Sequence, residues 1–94
     1  MILSFGSNET KKIWDGEPIK KFPLRIQELS RRKLRMLNSS QNLADLKIPP
    51  SNRLEKLKGN LKDYFSIRIN DQWRIIFKWN NNNASEVQII DYHK

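Results

Sequence analysis

The sequence predicts an α+β fold: two N-terminal helices packed on a small twisted, mainly antiparallel β-sheet. Three observations predict it. Apolar residues recur at a 3.6-residue period before Asn38, they alternate with polar residues after Tyr64, and short polar clusters separate the alternating segments. With 94 residues the chain is expected to be a single domain spanning residues 1–94. Such a domain buries roughly two thirds of its unfolded surface but cannot enclose a deep two-lobed cleft, so a shallow surface site is expected.

Ile2, Leu3 and Phe5 form an apolar run of strand length stopped by Gly6. Ser7 or Asn8 can cap a short helix carrying Ile13 and Trp14, with Gly16 as its left-handed terminator and Pro18 ending the unit. From Pro23, the residues Leu24, Ile26, Leu29, Leu34, Met36 and Leu37 follow the helical period, while Arg25, Arg31, Arg32 and Arg35 occupy the remaining arc. That makes a basic amphipathic helix, whose arginines are either a solvated face or contacts to an RNA backbone. Asn38 to Asn52 is a connector, with Ser39 or Ser40 able to cap one turn through Leu43 and Leu46, and with extended backbone at Pro49-Pro50.

The sheet follows. Phe65, Ile67 and Ile69 alternate with Tyr64, Ser66 and Arg68, and Trp73, Ile75, Phe77 and Trp79 alternate with Arg74, Ile76 and Lys78. Asn70-Asp71-Gln72 and Asn80 to Asn83 read as two hairpin turns. A last strand over about Glu86 to Tyr92 offers Val87 and Ile89 on one face and Ile90 and Tyr92 on the other. By parity, Arg68 and Arg74 leave the helix-packed face for an uncovered concave face, which Lys58 or Lys78 could share. Such a face is either an ordinary solvated surface or, with Tyr64 and Tyr92 beside its cations, a stacking platform for single-stranded RNA.

Composition points the same way. Eighteen Lys and Arg against ten Asp and Glu give a formal charge of +8 and a pI near 10.1, the footprint of a phosphate-binding surface. With no cysteine and one histidine, thiolate zinc and disulfide frameworks are excluded and no metal or other cofactor is expected. No apolar run is long enough for a bilayer and no secretory leader is legible, so no membrane partner and a cytoplasmic location are expected. Ser66 lies in a strand without a nucleophile elbow, which argues against a serine hydrolase. Lys58, Arg68, Arg74 and the single histidine, His93, are the residue types that cleave or grip RNA without a metal, since cations stabilise a phosphorane while an imidazole moves a proton.

Leu57-Lys58-Gly59, the hairpin Ser66-Ile67-Arg68-Ile69-Asn70-Asp71-Gln72-Trp73-Arg74-Ile75 and the closing Asp91-Tyr92-His93 together resemble the HigB group of RelE-superfamily toxins, nearly end to end. The resemblance implies a RelE-like fold. It also implies a ribosome-dependent endoribonuclease that cuts translated messenger RNA in the A site of the 70S ribosome. Its implied partner is a HigA-type helix-turn-helix antitoxin, with operator DNA reached only through that antitoxin. Residue by residue, Arg74 matches the family's active-site arginine, Lys58 the lysine of Leu-Lys-Gly, and Asp91, Tyr92 and His93 the terminal acidic-Tyr-His group. Where relatives often read Leu-His-Pro-Leu-Lys-Gly, this chain reads Leu54-Glu55-Lys56-Leu57-Lys58-Gly59, so Glu55 stands in place of a histidine often assigned to catalysis. Either Glu55 serves as proton acceptor, or the burden falls on His93, or the enzyme is weak.

The expected roles are then distinct. Arg74 would pair with phosphate oxygens through its fork of donors, or else form a cross-strand ion pair, for instance with Asp91. His93 would transfer a proton, Lys58 would add a point charge, Asp91 would orient His93 or Arg74, and Tyr92 would stack on a base or fill the core. Arg53, Tyr64, Arg68, Lys78 and Tyr92 are the expected RNA-binding residues. The alternative is a basic RNA- or DNA-binding module, or a translation-blocking factor, with no cleavage.

Overall fold

Seven residues after the N-terminus, the backbone turns into a helix because Ser7 is extended and its hydroxyl accepts the Thr10 amide proton. The computed structural model describes residues 1–92, with α1 at Asn8–Trp14 and α2 at Leu24–Ser39 followed by β1 at Glu55–Lys56, β2 at Phe65–Arg68, β3 at Trp73–Asn80 and β4 at Asn83–Asp91. The four strands form one antiparallel sheet in sequence order. Two helices preceding an antiparallel sheet match the expected architecture, and β1 is an addition to it.

Local chemistry sets most boundaries. Gly16, at φ 86°, takes the left-handed conformation that closes α1 as expected. Arg31 donates through Nε to the Ile13 carbonyl at 2.8 Å, placing a cation on the open C-terminal end of α1. Arg31 therefore joins the two helices. Fully buried Gln27 accepts the Ile19 amide and donates to the Ile19 and Phe22 carbonyls, clipping the 17–23 segment onto α2. Leu24 departs from the helical stripe: it is the first residue of α2 and is 71% exposed.

In the connector, the cap of the Leu43–Lys47 turn is Asn42, in a reciprocal capping box with Asp45, and not Ser39 or Ser40. Ser40 instead ends α2, its hydroxyl donating to the Met36 carbonyl. The Ile48–Pro49 peptide is cis, and Pro50 begins a further turn where extended backbone was expected. Buried Asn52 ties the connector down: its amide donates to the Leu46 carbonyl, and its oxygen accepts from Lys33 Nζ at 2.5 Å.

The core lies between helices and sheet: Ile13, Leu34, Leu37, Ile67, Ile75, Phe77 and Val87 are all fully buried. The β3–β4 hairpin closes through Asn81 and Asn82, at φ 52° and 61°, the left-handed pair that a two-residue turn requires and that asparagine tolerates. It starts β4 at Asn83, earlier than expected. The N-terminal run adds along the outer edge of β4 in parallel, through bridges Ile2–Ala84 and Phe5–Val87. Between them, Glu86 at φ 52° bulges out and its amide is taken up by Ser4 Oγ.

Where that edge pairing ends, the Ile89 amide donates to Thr10 Oγ1 at 2.9 Å. A buried hydroxyl thus completes the ladder where α1 leaves the sheet. Thr10→Val keeps the shape and strands the Ile89 N–H, so it is expected to cost about 1–3 kcal/mol. Urea titration checks this, with a midpoint equal to that of the native chain as the contrary result.

Candidate active site

The opposite face of the sheet carries the candidate residues. Register places Arg68, Arg74 and Ile90 side by side across β2, β3 and β4, and Glu55, Ser66 and Ile76 side by side one row along. Period-two alternation aims all of them away from the helices. The two-residue strand β1 is what brings Glu55 to this face, and the alternation rule alone could not find a strand that short.

Arg74 differs from expectation in one respect. Instead of standing on an uncovered surface it is 7% exposed and held on three sides. Its Nη1 donates to Glu55 Oε1 at 2.6 Å, its Nη2 donates to the Arg53 carbonyl at 2.9 Å, and the Tyr92 ring lies over the guanidinium at 5.1 Å from its centroid. Nε is buried with no hydrogen-bond partner among the described residues. Arg53 offers its carbonyl because it caps the preceding turn in the left-handed region, at φ 47°. The ion pair open to Arg74 in the sequence is therefore with Glu55. Asp91 lies in register with Trp73, its carboxylate accepts from Gln72 Nε2 at 3.0 Å, and it lines a separate cleft beside Glu9, Lys21 and Phe22.

Two clefts meet at Tyr92. One, of about 350 Å³, is lined by Glu55, Lys56, Leu57, Lys58, Leu61 and Tyr92. The other, of about 240 Å³, is lined by Arg53, Arg68, Asn70, Asp71, Arg74 and Tyr92. Lys58 thus reaches the same junction as Arg74 from the opposite side. Tyr64 and Lys78 do not: they pair with each other at 5.5 Å, and Lys78 stands four residues beyond Arg74 on β3, about 13 Å away at ~3.3 Å per residue. His93 lies outside the described residues.

Asp71 is pushed below the usual carboxylate range, first by its hydrogen bond from Arg68 and then by the charges of Arg68 and Arg53. Lys33 is pushed below the usual lysine value by burial and by the Arg68 charge. Leu57, Asn70 and Asp71 also line the clefts, beyond the expected site residues; the turn at Asn70-Asp71-Gln72 is the signal in the sequence, since such a turn projects its side chains beside the strand ends.

The HigB-like toxin family, described as the RelE-like toxin of type II toxin-antitoxin system HigB, matches residues 3–93. Toxin HigB-1 of Vibrio cholerae serotype O1 is 42% identical over 95 residues, covering 100% of this chain and 99% of its own length. An uncharacterized protein of Haemophilus influenzae is 36% identical over 74 residues, with 79% of this chain and 73% of that protein covered. The YoeB-YefM complex from Staphylococcus aureus contains a chain that matches at 18% identity with a TM-score of 0.62, covering 100% of this chain and 99% of that chain, a likeness of fold.

Proposed function

Because the chain belongs to the RelE-like HigB toxins of type II toxin-antitoxin systems, we propose that it is a ribosome-dependent endoribonuclease that cuts translated messenger RNA. The observation that supports this most strongly is that Arg74 touches both Glu55 and Tyr92, and that Tyr92 is shared by the cleft lined by Glu55 and Lys58 and the cleft lined by Arg53, Arg68 and Arg74. In the proposed reaction the ribose 2′-oxygen attacks the adjacent phosphorus, a P–O2′ bond forms and the P–O5′ bond breaks. The 2′-hydroxyl proton passes to a carboxylate, the role given to Glu55, and the departing 5′-oxygen takes a proton from an acid, the role given to His93. Arg74 and Lys58 carry the negative charge that builds on the phosphorane oxygens. Tyr92 stacks on a base, with Arg53 and Arg68 on the flanking backbone.

Several features support this division. Glu55 touches Arg74 yet its side chain remains 47% exposed, so a substrate hydroxyl can reach it. Arg74 is anchored by the Arg53 carbonyl and packed under Tyr92, which holds its fork before substrate arrives. Its partners in the cell would be the 70S ribosome with messenger RNA and a HigA-type helix-turn-helix antitoxin, through which alone it meets operator DNA. Cytoplasmic action follows from those partners. Among the described residues no helix is long and apolar enough to cross a membrane.

One observation favours a second reading. Arg74 is buried and already engaged on two nitrogens, as suits a basic protein that blocks translation without cutting. A reconstituted translation reaction on a reporter transcript separates the two. Halted synthesis with shortened transcript is expected; halted synthesis with full-length transcript would identify the blocking factor.

A further inference from the structure

The β2–β3 turn contains an ion pair that the fold does not need. Arg68 belongs to β2, and its Nη2 donates to Asp71 Oδ1 at the turn. The Arg68 side chain is 30% exposed and that of Asp71 is 98% exposed. The cation is therefore fixed by a strand while its carboxylate partner stands in water, and exposed pairs of this kind contribute little to stability. The turn itself is held by Asn70, whose Oδ1 accepts the Gln72 and Trp73 amides. Nothing in the turn geometry requires an acid at position 71.

What the acid does border is a cationic pocket. Arg53, Arg68 and Arg74 line it with Asn70, Asp71 and Tyr92, and Lys33 is near enough to feel the Arg68 charge. Arg68 and Arg74 are cross-strand neighbours, yet they diverge, Arg74 toward Glu55 and Arg68 toward the turn. Two forks that start together and point apart suit two successive phosphates of one strand.

We propose that Asp71 occupies the place of a substrate phosphate on Arg68, so that Arg68, with Arg53 beside it, is the subsite for the phosphodiester next to the one that Arg74 holds for cutting. The inference rests on the proposed ribonuclease function and assigns Asp71 a part in substrate selection. The carboxylate swings into solvent when RNA enters, and a ligand without a phosphate at that position leaves the pair closed.

The test is single-turnover cleavage on 70S ribosomes programmed with messenger RNA and an open A site, with the protein varied in concentration and the salt stepped. Asp71→Asn is expected to lower the half-saturating concentration about 3- to 10-fold, because the charge-assisted bonds of Arg68 no longer have a competitor. Arg68→Ala is expected to raise it by a similar factor. The salt dependence should steepen in Asp71→Asn by a slope of about 0.7, the increment for one phosphate of a single strand. In the Arg68→Ala background, Asp71→Asn should change nothing, since its effect passes through that guanidinium. Unchanged half-saturation in Asp71→Asn, or an effect that persists without Arg68, would overturn the subsite while Arg74→Ala still abolishes cutting. Cleavage by Arg74→Ala at the native rate would instead overturn the site as a whole. A melting temperature equal to that of the native chain is expected for Asp71→Asn and confirms that folding is not the cause.

Discussion

Arg74→Lys is expected to lower cleavage of translated messenger RNA by about 10²- to 10³-fold, the range seen when one preorganised donor to a developing oxyanion is removed. The charge survives the change but the geometry does not. Arg74 spans the Glu55 carboxylate and the Arg53 carbonyl with two nitrogens of one plane and offers that plane to Tyr92. An ammonium on a flexible stem is a point charge and cannot hold both bonds and the stack together. Folding should survive, because Glu55 is half exposed and water replaces the lost donor. Single-turnover cleavage rates, read beside thermal melts of the same preparations, check this. A lysine variant within about tenfold of the native rate would show that charge alone suffices and that the fork has no special part.

Phe77→Ala carries the largest expected cost in stability, about 3–5 kcal/mol. Phe77 is fully buried at the centre of β3, with its ring 6.2 Å from that of Phe65 and 6.1 Å from that of Trp79. Phe65 is paired on both sides, to Lys56 and to Phe77, and Trp79 is paired to Ala84, so neither can readily collapse into the space left behind. For a domain of this size such a loss is a large share of the total. Urea denaturation followed by tryptophan fluorescence measures it, and a loss below about 1 kcal/mol would contradict the described packing of helices against sheet.

These two residues also show how far the sequence could be read. Alternation placed Phe77 on the core face and Arg74 on the other, and both positions hold, because period two along a strand admits only those two faces. The α1 cap at Ser7 or Asn8, Gly16 and the turn over Asn80 to Asn83 were legible for a similar reason, a cap side chain and left-handed backbone each restricting residue choice strongly, and the structure settles them on Ser7 and on Asn81-Asn82. The burial of Arg74 was not legible. It depends on Arg53 presenting a carbonyl from a left-handed turn and on Tyr92 closing from just beyond β4, which are contacts across 21 and 18 positions of the chain. Strand β1 escaped because two residues show no periodicity. With it went the meeting of Glu55 and Arg74, although each residue had been singled out. In the connector, Asn42 outcompetes Ser39 and Ser40 because only it lies three residues before Asp45, which completes a reciprocal cap.

The measurement that bears most directly on the proposed activity is primer extension on a reporter transcript incubated with the protein, with ribosomes actively translating and in their absence. Cuts within codons that appear only with translating ribosomes, and that vanish in Arg74→Ala and His93→Gln, are the predicted result. Intact transcript in every lane, or the same cuts without ribosomes and with Arg74 replaced, would contradict it.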